Sequence, residues 1–111
     1  MTVGIYTLEL HLPGARSLKD KRQVLRRLKD RLRARLNVAV AEIDEHSDLW
    51  QRSGILVVSV AADRNLLQSV FEAVHREATE IVPGHVVESG AEFLDAADGG
   101  PSGWSDEGDG P

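Results

Sequence analysis

The sequence has no cysteine, so disulfides and thiolate metal sites are excluded at once. It has no apolar run near the roughly 20 residues needed to cross a bilayer. Its start, Met1-Thr2-Val3-Gly4-Ile5-Tyr6, lacks the basic stretch and apolar segment of a secretory leader. These absences predict a cytoplasmic protein. There is no nucleophile elbow and no glycine-rich phosphate loop; Leu12-Pro13-Gly14-Ala15 is a turn. His11, His46, His75 and His85 are isolated and show no metal-ligand spacing. Glu42, Asp44, Glu45, His46 and Asp48 cluster, but acids near a strand end are commonly solvated. The expectation is a protein with no catalytic motif, no metal and no cofactor.

What is present is charge, unevenly placed. The 111 residues carry a net charge of −5. Arg16 to Leu36 holds ten Lys/Arg against Asp20 and Asp30, 10 − 2 = +8. Asn37 to Leu94 holds three Arg against ten acids, 3 − 10 = −7. Glu9 balances the remaining +1, and the five acids from Asp95 onward supply the whole −5. Fields act locally and are screened beyond about 8–10 Å, so the segment balances matter more than the total.

Tyr6, Leu8, Leu10 and Leu12 alternate with Ile5, Thr7, Glu9 and His11, which predicts a strand from Val3 to Leu12. Pro13-Gly14 ends it. Ser17-Leu18-Lys19-Asp20 is a capping-box-like helix start, in which the serine hydroxyl takes a free backbone amide and Asp20 reaches back. Leu18, Leu25, Leu28, Leu32 and Leu36 then form one apolar stripe. Val38 to Asp44 reads as a second strand and Glu45 to Ser53 as a polar loop. Ile55 to Ala62 reads as a third strand, apolar on both faces. Asp63 or Asn65 caps a second helix, from Leu66 to about Val82, with Leu67, Val70, Val74, Ala78 and Ile81 as its stripe. Pro83-Gly84 stops it. His85 to Asp95 is a last strand interrupted by Ser89 and Gly90. From Ala96 the chain is rich in Gly, Asp, Ser and Pro and buries too little to offset its ordering entropy.

The expectation is one α+β domain over residues 1–95 and a disordered acidic tail over 96–111. With right-handed crossovers, the order βαββαβ places two helices on one face of a four-stranded antiparallel sheet, the ferredoxin-like arrangement. The other face is left open. In the third strand both alternate sets are apolar, Ile55 and Val57 against Leu56, Val58 and Val60, so a cover is expected. A second copy of the chain is the simplest cover, since two-fold dimers are the commonest oligomers.

Three stretches carry a resemblance: Ser17-Leu18-Lys19-Asp20-Lys21-Arg22, Asn37-Val38-Ala39-Val40-Ala41-Glu42 and Asp48-Leu49-Trp50-Gln51-Arg52. In this order and spacing they resemble the YlxP-like bacterial family, known as domain of unknown function 503. The resemblance spans roughly Val3 to Asp95 and implies a ferredoxin-like fold in the bacterial cytosol. It also implies genes beside transcription and translation factors, including a ribosome-maturation factor. It carries no reaction and no catalytic residues.

The basic helix is the main functional signal. Lys19, Lys21 and Arg22 stand at a helix start, where free amides and the macrodipole also favour an anion. Arg16 adds to them, and Arg26 and Arg27 extend the surface. A phosphate backbone can follow such a surface, releasing counterions at each contact. Trp50, beside Arg52, can stack on a nucleobase or plug an edge of the core. The sheet lacks the stacking aromatics of an RNA-recognition sheet, so the helix and loops are the expected contact. These residues point to RNA or a ribosomal particle as partner. The alternative is a homodimeric protein-interaction module contacting an acidic protein, or cations paired internally with Glu72, Glu77 and Glu80 of the second helix.

Overall fold

The computed structural model of the protein describes residues 1–43 and 51–96. The elements are β1 (Thr2–His11), α1 (Leu18–Arg35), β2 (Ala39–Ile43), β3 (Arg52–Ala61), α2 (Arg64–Ile81) and β4 (His85–Asp95). The four strands form one antiparallel sheet in the order β2-β3-β1-β4, with both helices on one face. This is the ferredoxin-like arrangement that the strand and helix order predicts.

The alternation in β1 decides which residues go inside. Thr2, Gly4, Tyr6, Leu8 and Leu10 turn to the helices and are buried, while Val3 to His11 on the other register stay half-exposed. Opposite them, Ser53, Ile55, Val57 and Ser59 of β3 are buried on the same face. Leu25, Leu28 and Leu32 of α1 and Leu67, Phe71, Val74 and Ala78 of α2 close the core from above. Full burial of a leucine or valine is worth about 1.5–3 kcal/mol, so this layer is the main stabilising term.

Both helix starts are capped by side chains. Ser17 Oγ accepts from the Asp20 amide at 3.2 Å, and Asp20 Oδ2 reaches back to the Arg16 amide at 2.9 Å, one residue further than a standard capping box. Asp63, not Asn65, caps α2, accepting from the Leu66 amide at 3.0 Å. Such a cap contributes about 1 kcal/mol.

Three departures from the sequence expectations have physical reasons. Arg52 and Ser53 belong to β3 rather than to a loop, because the ladder continues until His11 opposes Arg52 and Ser53 fills the core beside Leu10. β4 runs unbroken through Ser89-Gly90: the register shifts between Thr7 and Leu8, a bulge that takes up one extra residue. Phe71 joins the α2 stripe, while Val70 and Ile81 pack only at its margin. Residues 97–111 of the expected tail, 96–111, and most of the expected loop, including Trp50, lie outside the described residues, as do Asp44, Glu45, His46 and Asp48.

Phe71 is seated by a glycine. A Cβ on Gly4 would stand 2.7 Å from Phe71 Cζ, so the bare backbone leaves the space the ring occupies. The ring stacks on Tyr6, with centroids 4.8 Å apart and planes 7° from parallel, and meets Phe93 on β4 at 5.9 Å. Burial, then the negative charge and hydrogen bond of Glu88, push the Tyr6 hydroxyl up to about 12. The unfolded value is about 10. The fold therefore favours the neutral phenol; its contribution is complete below pH ~10 and is lost as pH climbs through about 12. Tyr6 is the sole tyrosine, so near-ultraviolet phenolate absorbance reports this group alone. We expect its midpoint near 12, moving down in Glu88→Gln; a midpoint near 10 in the native protein would contradict the burial described.

The sheet face away from the helices carries Val3, Ile5, Leu56, Val58, Val60 and Leu94. Val60 is 49% and Leu94 60% exposed, and both flank Val3 in the ladder, so the most exposed part of the apolar set lies at one end of the sheet.

Candidate nucleic-acid interface

Helical spacing sorts the α1 cations into two ridges. Arg22, Arg26, Lys29 and Arg33, at steps of four, three and four, flank the stripe on the β2 side. Arg27, Arg31 and Arg35, at steps of four, flank it on the α2 side. In both ridges the C-terminal members are engaged by their own protein. Lys29 pairs with Glu42 of β2, and Arg33 Nη2 donates to the Val40 carbonyl at 2.8 Å. Arg31 bonds Glu77 through Nε at 2.8 Å and Glu80 through Nη2 at 3.2 Å, and Arg35 reaches Glu77 at 3.4 Å.

The N-terminal members are not so engaged. Lys19, Arg22, Arg26 and Arg27 are exposed, and no carboxylate among the described residues pairs with them. Arg16, also exposed, stands just before the helix, its backbone amide bound to Asp20. The internal neutralisation offered by Glu77 and Glu80 therefore stops halfway along α1. Glu72, on the opposite flank of α2, takes no part in it.

Two of the other expected contact residues lie elsewhere. Lys21 is only 6% exposed. It lies four residues before Leu25, on the apolar stripe, where a lysine stem can pack while its amine stays near the edge. That spacing was the available signal, and it outweighs the position in the charge run. Arg52 lies on the open sheet face, beyond the sheet from α1. Its Nη2 bonds Glu9 Oε2 at 2.6 Å, and His11 Nε2 stands 3.0 Å from the same oxygen. The structure thus brings together Arg16, Lys19, Arg22, Arg26 and Arg27, and separates Arg52 and Lys21 from them.

Among the described residues no group of three or more His, Asp or Glu side chains is arranged to hold a metal ion. No helix among them is long and apolar enough to cross a membrane.

Comparison with known proteins shows a family and adds no activity. The model of the family "Protein of unknown function (DUF503)" matches residues 3–89. The uncharacterized protein YlxP of Bacillus subtilis (strain 168) is 36% identical over 62 residues, an alignment covering 56% of this chain and 66% of that protein. A crystal structure from Caulobacter crescentus CB15, of a candidate antibiotic biosynthesis monooxygenase, aligns over 87% of this chain and 91% of its own. Its 15% identity and TM-score of 0.41 are too slight to support a conclusion. With nearly the whole described domain matched by the family model and YlxP among its relatives, this chain belongs to the YlxP-like family of proteins of unknown function, DUF503.

Proposed function

We propose that the protein is a non-enzymatic cytoplasmic binding module that docks on RNA or a ribosomal particle through the N-terminal half of α1. The observation that supports this reading is the split along the helix: Lys29, Arg31 and Arg35 meet carboxylates, whereas Lys19, Arg22, Arg26 and Arg27 meet none among the described residues. Exposed cations in a cluster concentrate positive potential. A phosphate backbone relieves their mutual repulsion and releases its own counterions. Arg16 extends the cluster around the helix start, where the backbone amides of the first turn add to the attraction.

The second element of the proposal is a homodimer through the open sheet face. The apolar character of Val3, Ile5, Leu56, Val58, Val60 and Leu94 supports it. A pair of chains joined there would carry two basic helix faces on opposite outer surfaces. Apolar sheet faces of this size are otherwise costly to leave in water.

Fluorescence anisotropy with a labelled ribosomal RNA fragment, repeated across salt concentrations, tests the docking. With four to five phosphate contacts, log K should fall against log salt with a slope of about −3. Binding that ignores salt, or no binding at low ionic strength, overturns the reading.

A further inference from the structure

A second concavity lies on the far side of α2 from the basic helix. It is an open cleft of about 540 Å³ between α2 and β4, within the roughly 300–1,000 Å³ range of small-molecule sites. One wall is a single flank of α2, where Gln68, Glu72 and His75 follow at steps of four and three. The other wall is β4, with Glu88, Ala91 and Phe93. Tyr6 and Phe71, stacked on each other, form the base.

The lining has two chemical parts. One is aromatic: Tyr6, Phe71 and Phe93 in sequence, with the outermost ring already accepting a cation, since the Arg64 guanidinium lies 4.4 Å from the Phe93 centroid. The other is anionic. Glu72 has no cationic partner among the described residues, and Glu88 has only the Tyr6 hydroxyl. Exposed carboxylates set beside aromatic rings at the mouth of a cleft favour one kind of guest. A planar body stacks or slides along the rings, a positive head pairs with the carboxylates, and the ring quadrupoles add to the attraction. An anion meets two like charges, and a neutral ring gains the wall alone.

We infer that this cleft is a binding site for a flat organic cation, an amidinium, guanidinium or protonated amine carried on a planar body, with Glu72 and Glu88 holding the charge and the partly exposed Phe93 ring holding the plane. The site is independent of the RNA-docking surface: it lies on the other flank of α2 and its charge has the opposite sign.

Three probes of similar size and different charge test it on the full chain: benzamidine as the amidinium, benzyl alcohol as the neutral ring and benzoate as the anion, at matched ionic strength. Amide chemical-shift titration is the readout. Benzamidine should move the signals of Gln68, Glu72, His75, Glu88 and Ala91, with a dissociation constant on the order of 1 mM. Benzyl alcohol should bind several-fold more weakly and benzoate not detectably. Glu72→Gln and Glu88→Gln should each weaken benzamidine about three- to ten-fold, and the same spectra report whether each variant keeps the fold. Glu72 is exposed and holds no hydrogen bond or ion pair among the described residues, so its variant carries the test should Glu88→Gln disturb Tyr6. Equal affinity for all three probes, benzamidine shifts confined to other surfaces, or undiminished binding in a folded Glu72→Gln protein would overturn the inference.

Discussion

Reversing Lys19, Arg22, Arg26 and Arg27 to glutamate should lower affinity for ribosomal RNA by about 100-fold or more at moderate salt, while leaving the fold intact. Each tenfold is about 1.4 kcal/mol. Four phosphate contacts, each removing one condensed counterion, together supply several such factors, and the introduced carboxylates repel the same phosphates. Stability should change little, because these side chains are exposed and hold no ion pair among the described residues. The salt slope should flatten in parallel, since fewer counterions are released. Electrophoretic mobility shift with the same RNA, alongside thermal melting of the variant, checks both halves of this expectation.

The second large effect concerns two turns of identical sequence. Pro13-Gly14 and Pro83-Gly84 both end an element, and neither glycine adopts a left-handed backbone. Their surroundings differ. A Cβ on Gly14 would meet nothing within 4 Å, whereas one on Gly84 would be driven into the carbonyl oxygen of His11 and lie 3.3 Å from Pro13 Cδ. His11 faces His85 in the β1–β4 ladder, so the clash sits against backbone that cannot move without opening that end of the sheet. Gly84→Ala should therefore cost about 3 kcal/mol and lower Tm by on the order of 10–20 °C. Gly14→Ala should be neutral or raise stability by about 0.5 kcal/mol, through the reduced freedom of the unfolded chain. Thermal unfolding of the pair is the measurement, and equal effects would contradict the packing at Gly84.

These turns also show where sequence stops being legible. The dipeptides are the same, so only the close approach of two strands, a long-range fact, separates them. The elements themselves were readable because their spacing repeats: the period of two in Tyr6, Leu8 and Leu10, and the three-four steps of Leu25, Leu28 and Leu32, each name a buried face. The start of β3 was not readable, because Arg52 and Ser53 are polar and are held in the sheet by pairing with His11 and Leu10 of β1. Phe71 was missed for a related reason: its place in the core depends on the gap at Gly4, sixty-odd residues earlier in the chain.

The candidate site was legible as a run of charge but not as a surface. Sequence placed Glu77 and Glu80 on the helix next to α1, and they do engage Arg31 and Arg35. Where along α1 that engagement ends depends on how the helices lie on the sheet, and β2 adds Glu42, which no local pattern marked as a partner of Lys29. Lys21 and Arg52 left the basic cluster because burial and strand side, respectively, place them elsewhere. The acidic cleft between α2 and β4 had no sequence signal, since its residues come from β1, α2 and β4 at unrelated spacings.

The central claim is that only the N-terminal half of α1 is available to a polyanion. Its most direct measurement compares two charge-reversed proteins on one RNA at one salt concentration: Arg22→Glu with Arg26→Glu against Arg31→Glu with Arg35→Glu. The account predicts that the first loses RNA affinity by at least about tenfold with little change in Tm, while the second loses stability, by about 1 kcal/mol or more, before it loses binding. Equal loss of binding in the two, or loss only in the second, would contradict it.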